Sequence, residues 1–195
     1  VFIVDDNVSD RELVERLLTR ERLPICALRS AQEFLTIWSP DWRGCLVTDI
    51  STPGMQNVLL GDAGAHANFS LPVVIVTYEV DVSTAVNAMK RSAVDILNKP
   101  IEPALLLERV RYALELDRVR TEVTARRLAA RERIGRLTPR EWELLQLVVN
   151  GLANKQIAFC LDISEKTVEA HRANISRKLE VNNLADLVRI TLTAA

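Results

Sequence analysis

The sequence is poor in the residues that carry metal and redox chemistry. Two histidines, His66 and His171, lie far apart in 195 residues and suggest no zinc site. Three cysteines, Cys26, Cys45 and Cys160, are widely spaced in apolar surroundings. They read as buried thiols of a reducing compartment, the cytoplasm, and argue against a disulfide framework. No run of about 18 apolar residues occurs, which argues against a membrane-spanning helix. The chain opens inside an apolar stretch, Val1-Phe2-Ile3-Val4, without Met or a charged leader. A few preceding residues are expected to be missing, and no signal peptide is visible.

What remains is ordinary for a globular protein: 48% hydrophobic and 26% charged residues, enough to argue against disorder. The net charge of −1 hides a division. Residues 1–116 carry 11 basic and 16 acidic side chains, whereas residues 117–195 carry 14 and 10. An acidic first part and a basic second part imply two tasks, the second near a polyanion.

The first part alternates strand and helix. Val1–Val4, Ile25–Leu28, Cys45–Thr48, Val73–Thr77 and Val94–Leu97 read as buried strands. Between them, Ser9-Asp10 can cap a helix carrying Leu13, Val14, Leu17 and Leu18. Ser30 opens a short helix over Ala31–Trp38, and Val82–Met89 forms one with Val82, Ala85, Val86 and Met89 inward. Val58–Phe69, interrupted by Gly61 and Gly64, is the weakest helix. Continuous apolar strands separated by helices imply an α/β doubly wound, five-stranded parallel sheet covered on both faces. From Pro103 a helical pattern runs for about thirty residues, with Leu106, Leu107, Val110 and Leu114 over the sheet. Leu116, Val119 and Val123 continue it, either as an exposed linker over 117–136 or as a short coiled coil pairing two chains.

In an open parallel sheet, ligands bind beyond the carboxyl ends of the strands. There stand Asp5, Asp6 and Asp49, then Thr77 and Lys99. Three carboxylates suit a hard cation such as Mg²⁺, and a hydroxyl with an ammonium can hold an anion beside them. These residues, with Thr52-Pro53-Gly54-Met55 and Lys99-Pro100, make residues 1–116 resemble the receiver domain of two-component response regulators, a flavodoxin-like fold. The resemblance implies that Asp49 accepts a phosphoryl group from a histidine kinase. It also implies that Asp5, Asp6, Asp49 and the carbonyl of Ser51 hold Mg²⁺, that Thr77 and Lys99 contact the phosphoryl oxygens, and that Lys99-Pro100 is cis. The chain departs from the family pattern at Tyr78, where a small residue is usual, and at Ile96, where an aromatic is usual. Further departures are Ser51-Thr52, Gln56-Asn57 and Ser92.

Further on, Leu137-Thr138-Pro139-Arg140-Glu141 is a helix start with Thr138 as cap and Glu141 closing a capping box. Trp142, Leu144, Leu145 and Val148 supply its apolar face, and Asn150-Gly151 ends it. A helix over Asn154–Cys160, a tight connection at Leu161–Ser164 and a helix over Glu165–Leu179 form a helix-turn-helix, followed by a fourth helix, Leu184–Leu192. Residues 137–195 are therefore expected to be an all-α four-helix domain. The stretches Asn154–Ala158, Ile163-Ser164, Thr167–Ile175 and Lys178-Leu179 resemble the LuxR-type helix-turn-helix, and the whole chain is similar to FixJ-type response regulators. Asp162 replaces the glycine often found in that turn.

At 100° per residue, Val168, Ile175 and Leu179 form the core stripe of the third helix, while Lys166, Ala170, Ala173 and Arg177 point away, flanked by Glu169 and Asn174. The resemblance places Glu169, Ala170 and Ala173 against bases of double-stranded promoter DNA. Lys155, Lys166, Thr167, Arg177 and Lys178 suit phosphates. Arg172, nearer the core, can reach phosphate or base, and His171 can contact DNA or pack locally. The resulting expectation is a transcription regulator, not an enzyme, switched by phosphorylation and active as a homodimer. Its dimer contacts are expected around 81–112, with the fourth helix as a second surface. The alternatives are a degenerate receiver that works without phosphorylation, a protein-interaction module or, more remotely, a phosphotransferase.

Overall fold

The structure, a computed structural model, describes residues 1–60, 71–79, 82–91 and 93–194. They pack as two units, Val1–Arg120 and Thr121–Ala195.

The first unit contains, in chain order, β1 (Phe2–Val4), α1 (Val8–Arg20), β2 (Cys26–Leu28), α2 (Ala31–Ile37), β3 (Leu46–Thr48), α3 (Met55–Leu60), β4 (Val73–Thr77), α4 (Val82–Arg91) and β5 (Ala93–Asn98). The helix α5 (Pro103–Gly135) begins here and continues into the second unit. All strand pairs are parallel, in the order β2-β1-β3-β4-β5. The two-residue period of a strand divides its side chains between two faces. Ile3, Val47, Val74 and Val76 meet Leu17 and Leu18 of α1 and Leu106 and Val110 of α5. Val4, Leu46, Val73 and Ile75 meet Phe34 of α2 and Met55 and Val58 of α3. Each such fully buried aliphatic side chain stabilises the fold by about 1.5–3 kcal/mol.

Two expectations fail here for physical reasons. The cap of α1 is Asn7, whose Oδ1 accepts from the N–H groups of Ser9 and Asp10, so both expected cap residues lie inside the first turn. In α4 the expected inward face is largely outward: Val82 is 80% exposed, Val86 and Met89 are also exposed, and the buried residue is Ala88. Helical period fixes which residues share a face but not which face meets the sheet, and here the small residue takes the inside. The helix expected from Val58 begins three residues earlier, at Met55; its remainder, with Gly61, Gly64 and His66, lies outside the described residues, as does Ser92.

In the second unit, the end of α5 is followed by α6 (Pro139–Val149), α7 (Asn154–Leu161), α8 (Glu165–Leu179) and α9 (Leu184–Ala194). Thr138 and Glu141 close the expected capping box: Thr138 Oγ1 accepts from the Glu141 N–H at 3.3 Å, and Glu141 Oε2 accepts from the Thr138 N–H at 2.8 Å. Gly151 takes a φ of +84° after α6, a backbone state that favours glycine. Leu144, Leu145, Val148, Ile157, Val168, Ile175, Leu179 and Leu187 form the core.

Three readings are corrected. Trp142 is 41% exposed and Glu141 is buried in its place, because the capping carboxylate turns inward. Cys160 is exposed, unlike Cys45, because α7 turns only Ile157 and Ala158 fully into the core. The last turns of α5 are not a bare linker: Ala130 is buried, Ile134 packs on the core, and Arg133 and Arg136 pair with Glu180.

Candidate functional site

The rim of the sheet is assembled by strand order. β1 lies beside β3, so Asp5-Asp6 and Asp49 follow neighbouring strand ends, and β4 and β5 complete the edge with Thr77 and Lys99. The Lys99 N–H donates to the Thr77 carbonyl at 2.8 Å, and Lys99-Pro100 is cis. Arg11 donates to the Asp5 carbonyl at 2.7 Å and the Asn7 N–H to Asp5 Oδ1 at 2.8 Å, which fixes the turn after β1. The turn after β3 is held by Gly54, at a φ of +85°, where an added Cβ would approach that of Ala31 to 3.1 Å. Any other residue there is strained as well as crowded.

Lys99 is at the centre. Its Nζ donates to Asp49 Oδ2 at 2.7 Å, Asp10 Oδ2 at 2.8 Å and Asp5 Oδ2 at 2.9 Å, and its side chain is 2% exposed. All three donors of an ammonium are thus used on carboxylates. Asp49 Oδ1 accepts from the Ser51 N–H at 2.8 Å and from Ser51 Oγ at 2.6 Å. Thr52 Oγ1, buried, donates to Asp6 Oδ1 at 3.2 Å, and Thr77 donates to the Glu79 carbonyl at 3.1 Å. Tyr78 is 63% exposed, with its ring centroid 5.3 Å from Lys99 Nζ. Ile96 packs against the core and not into the cluster.

Charge and burial pull the two central acids apart. Burial raises the Asp5 pKa, and the hydrogen bonds from Lys99 and Asn7 do not offset it. Burial also acts upward on Asp49, but the hydrogen bonds from Lys99 and from the side chain and backbone of Ser51 outweigh it, so Asp49 lies below its ordinary value. Burial would lower Lys99, yet its bonds to Asp10, Asp49 and Asp5 raise it, so it stays charged. Asp5 Oδ2 and Asp49 Oδ2 converge on one cationic nitrogen, a donor pair suited to a hard metal ion. Among the described residues, no three acidic, histidine or cysteine side chains are gathered as a ready metal cage. Asp6 is exposed and bonded to Thr52.

Sequence reasoning names Asp10 only as a helix cap and Thr52 only within the loop after β3, and it gives Arg11 no role; their rim contacts come from the structure. Asp10 sits in the first turn of a helix, where an acid is commonly a dipole partner, so its spacing alone does not mark it.

In the second unit, Val168, Ile175 and Leu179 are buried as the periodicity requires, and Lys155, Lys166, Glu169, Ala170, Ala173 and Arg177 are exposed. Thr167 belongs to the cap of α8: its N–H donates to Ser164 Oγ at 3.1 Å. His171 is half-buried. Arg177 donates to Asn174 Oδ1 at 3.0 Å and Arg172 to Asn154 Oδ1 at 3.1 Å. Lys178 donates to Glu141 Oε2 at 2.6 Å, which leaves it braced against α6.

A doubly wound sheet with acids and a buried lysine at its carboxyl rim, together with a separate helix-turn-helix unit, defines a signal-receiving regulator. The family of response regulator receiver domains matches residues 1–111, and that of bacterial regulatory proteins, luxR family, matches residues 135–191. The chain belongs to the response regulators that join these two domains. It is 36% identical to Nodulation protein W of Bradyrhizobium diazoefficiens over 193 residues, 99% of this chain and 85% of that protein. It is 39% identical to Transcriptional regulatory protein FixJ of Rhizobium meliloti, covering 98% of this chain and 94% of that one. A low-resolution structure of response regulator StyR superposes with a TM-score of 0.86 at 37% identity, covering 98% of this chain and 96% of that chain. The family is one of transcription regulators, and no helix among the described residues is long and apolar enough to cross a membrane.

Proposed function

We propose that this response regulator accepts a phosphoryl group on Asp49 from a histidine kinase and, as a homodimer, binds promoter DNA through α8. The organisation proposed is a receiver over 1–116, a helical linker over 117–136 whose last turns pack on the second unit's core, and a LuxR-type domain over 137–195. The observation that carries the reading is the convergence of Lys99 on Asp49 and Asp5 at 2.7 and 2.9 Å. In the transfer, the bond from phosphorus to the donor's nitrogen or oxygen breaks, the donor keeps the electron pair, and a bond forms to an Asp49 carboxylate oxygen. Lys99 then faces the oxygens that hold the charge, with Thr77 beside them. Asp5, Asp6, Asp49 and the Ser51 carbonyl would hold Mg²⁺, which supplies further neutralisation of the transferring group.

Phosphorylation shifts the receiver between two states. The exposed Val82, Val86 and Met89 of α4 favour pairing of two chains through this side of the receiver. In the DNA-binding unit, Glu169, Ala170 and Ala173 face bases, while Lys155, Lys166, Thr167 and Arg177 meet phosphates and Asn174 lies beside them. Arg172 and Lys178, bonded to Asn154 and Glu141, orient α8. Promoter-fragment binding by wild type and Asp49→Ala, with and without acetyl phosphate, tests the scheme. Only wild type should tighten. Equal behaviour throughout removes phosphorylation and leaves a DNA-binding protein with a degenerate receiver. Independently, DNA affinity should fall with salt at a log–log slope of about −0.9 per phosphate contact; a flat response removes DNA binding.

A further inference from the structure

Asp10 stands out because it joins the rim cluster from α1 and not from a strand end. Its carboxylate lies 2.8 Å from Lys99 Nζ and is 17% exposed on the side chain. Asp10 and Asp49 touch the same nitrogen, so they are separated by no more than two hydrogen-bond lengths. Counting Asp5, three negative charges surround one positive charge. A cation on Asp5 and Asp49 would share those carboxylates with Lys99, and Asp10 is the Lys99 partner that lies outside the proposed metal set.

We propose that Asp10 is a positioning residue that sets the charge of this pocket: it holds and neutralises Lys99, draws a divalent cation in, and restrains phosphoryl transfer from an anionic donor. The inference rests on the reading of Asp49 as phosphoacceptor. Its physical basis is that a fixed anion at this range attracts Mg²⁺ and repels an anionic phosphodonor, so its removal must move the two in opposite directions. At an effective dielectric constant of about 20, less ionic screening, one charge at such a distance is worth roughly a factor of ten.

The test compares wild type, Asp10→Asn, Asp10→Ala and Asp10→Glu in the full chain. Magnesium affinity is measured by calorimetry, and kcat/KM for acetyl phosphate is measured at saturating Mg²⁺. Asp10→Asn keeps an acceptor for Lys99 and loses only the charge. It should bind Mg²⁺ at least tenfold more weakly yet be phosphorylated about tenfold faster, with both differences shrinking as salt rises. Asp10→Ala should follow it and Asp10→Glu should resemble wild type. If Asp10→Asn matches wild type in both measurements while Asp10→Ala loses phosphorylation, Asp10 serves only as an acceptor and the proposal fails. If no variant takes up phosphoryl groups, the phosphoacceptor reading falls by itself. The magnesium titration then decides for Asp10: weaker binding in Asp10→Asn sustains the charge role, and unchanged binding ends it.

Discussion

Lys178 Nζ of α8 lies 2.6 Å from Glu141 Oε2 of α6, and the same carboxylate oxygen accepts the Thr138 N–H at 2.8 Å. One acid thus caps α6 and anchors the helix expected to read DNA. Lys178→Ala should leave that buried carboxylate underpaired and destabilise the second unit by about 2 kcal/mol, discounted for the partial exposure of the lysine. It should leave the salt slope of DNA binding unchanged, whereas Arg177→Ala should reduce it by about 0.9. A slope change in Lys178→Ala would make it a phosphate contact after all.

The same acid sets a pH dependence. Burial acts to raise Glu141, but the hydrogen bonds from Lys178 and Thr138 outweigh it and hold it below the ordinary glutamate value. A depressed acid stabilises the folded state above its unfolded pKa, about 4.3, and that contribution is lost as pH falls through the folded value. Denaturant melts of the second unit should therefore show less loss between pH 5 and pH 3 for Glu141→Gln than for wild type. Parallel pH profiles would remove Glu141 as the cause.

Lys99→Met should leave Asp5, Asp10 and Asp49 without their common partner. The expected loss is about 3–5 kcal/mol in the first unit, because several uncompensated charges then remain at a buried rim. Millimolar Mg²⁺ should return part of it by mass action, a rise in urea midpoint larger than in wild type. A variant as stable as wild type without added metal would contradict the central position given to this lysine.

Much of the first unit was legible because buried parallel strands are continuous apolar runs bounded by polar residues, and Val73–Thr77 needs nothing further to be read. The rim acids were legible for the same reason: they are the first polar residues after such runs. The outward face of α4 was not, since Val82, Val86 and Met89 have the spacing of a core stripe and only the packing of Ala88 decides otherwise. Asp10 was hidden because it follows no strand, and an acid in a helix's first turn ordinarily serves the helix dipole. Asn7 won the cap of α1 from Ser9 through backbone geometry that composition does not express.

Asp162 ends α7 at a φ of +53°, and Glu180 ends α8 at +56°. Both are left-handed conformations that non-glycine residues adopt at a cost. Asp162→Gly should raise stability by up to about 1 kcal/mol, and Glu180→Gly less, because Glu180 also pairs with Arg133 and Arg136. Thermal melts of the two single variants check this. A larger gain in Glu180→Gly than in Asp162→Gly would mean that the two arginine pairs contribute little.

Cysteine reactivity should separate the units. Burial pushes the Cys45 thiol up to about 12, whereas Cys160 is exposed. Iodoacetamide at pH 8 should modify Cys160 first and Cys45 only on unfolding, as followed by peptide mass spectrometry.

The bonds of Lys99 to Asp49, Asp10 and Asp5 span 50, 89 and 94 positions. During synthesis every one of those aspartates leaves the ribosome long before the ammonium that will balance them. The rim is therefore among the last parts of this unit to be completed. Any fragment ending before β5 carries these aspartates without the ammonium that joins them.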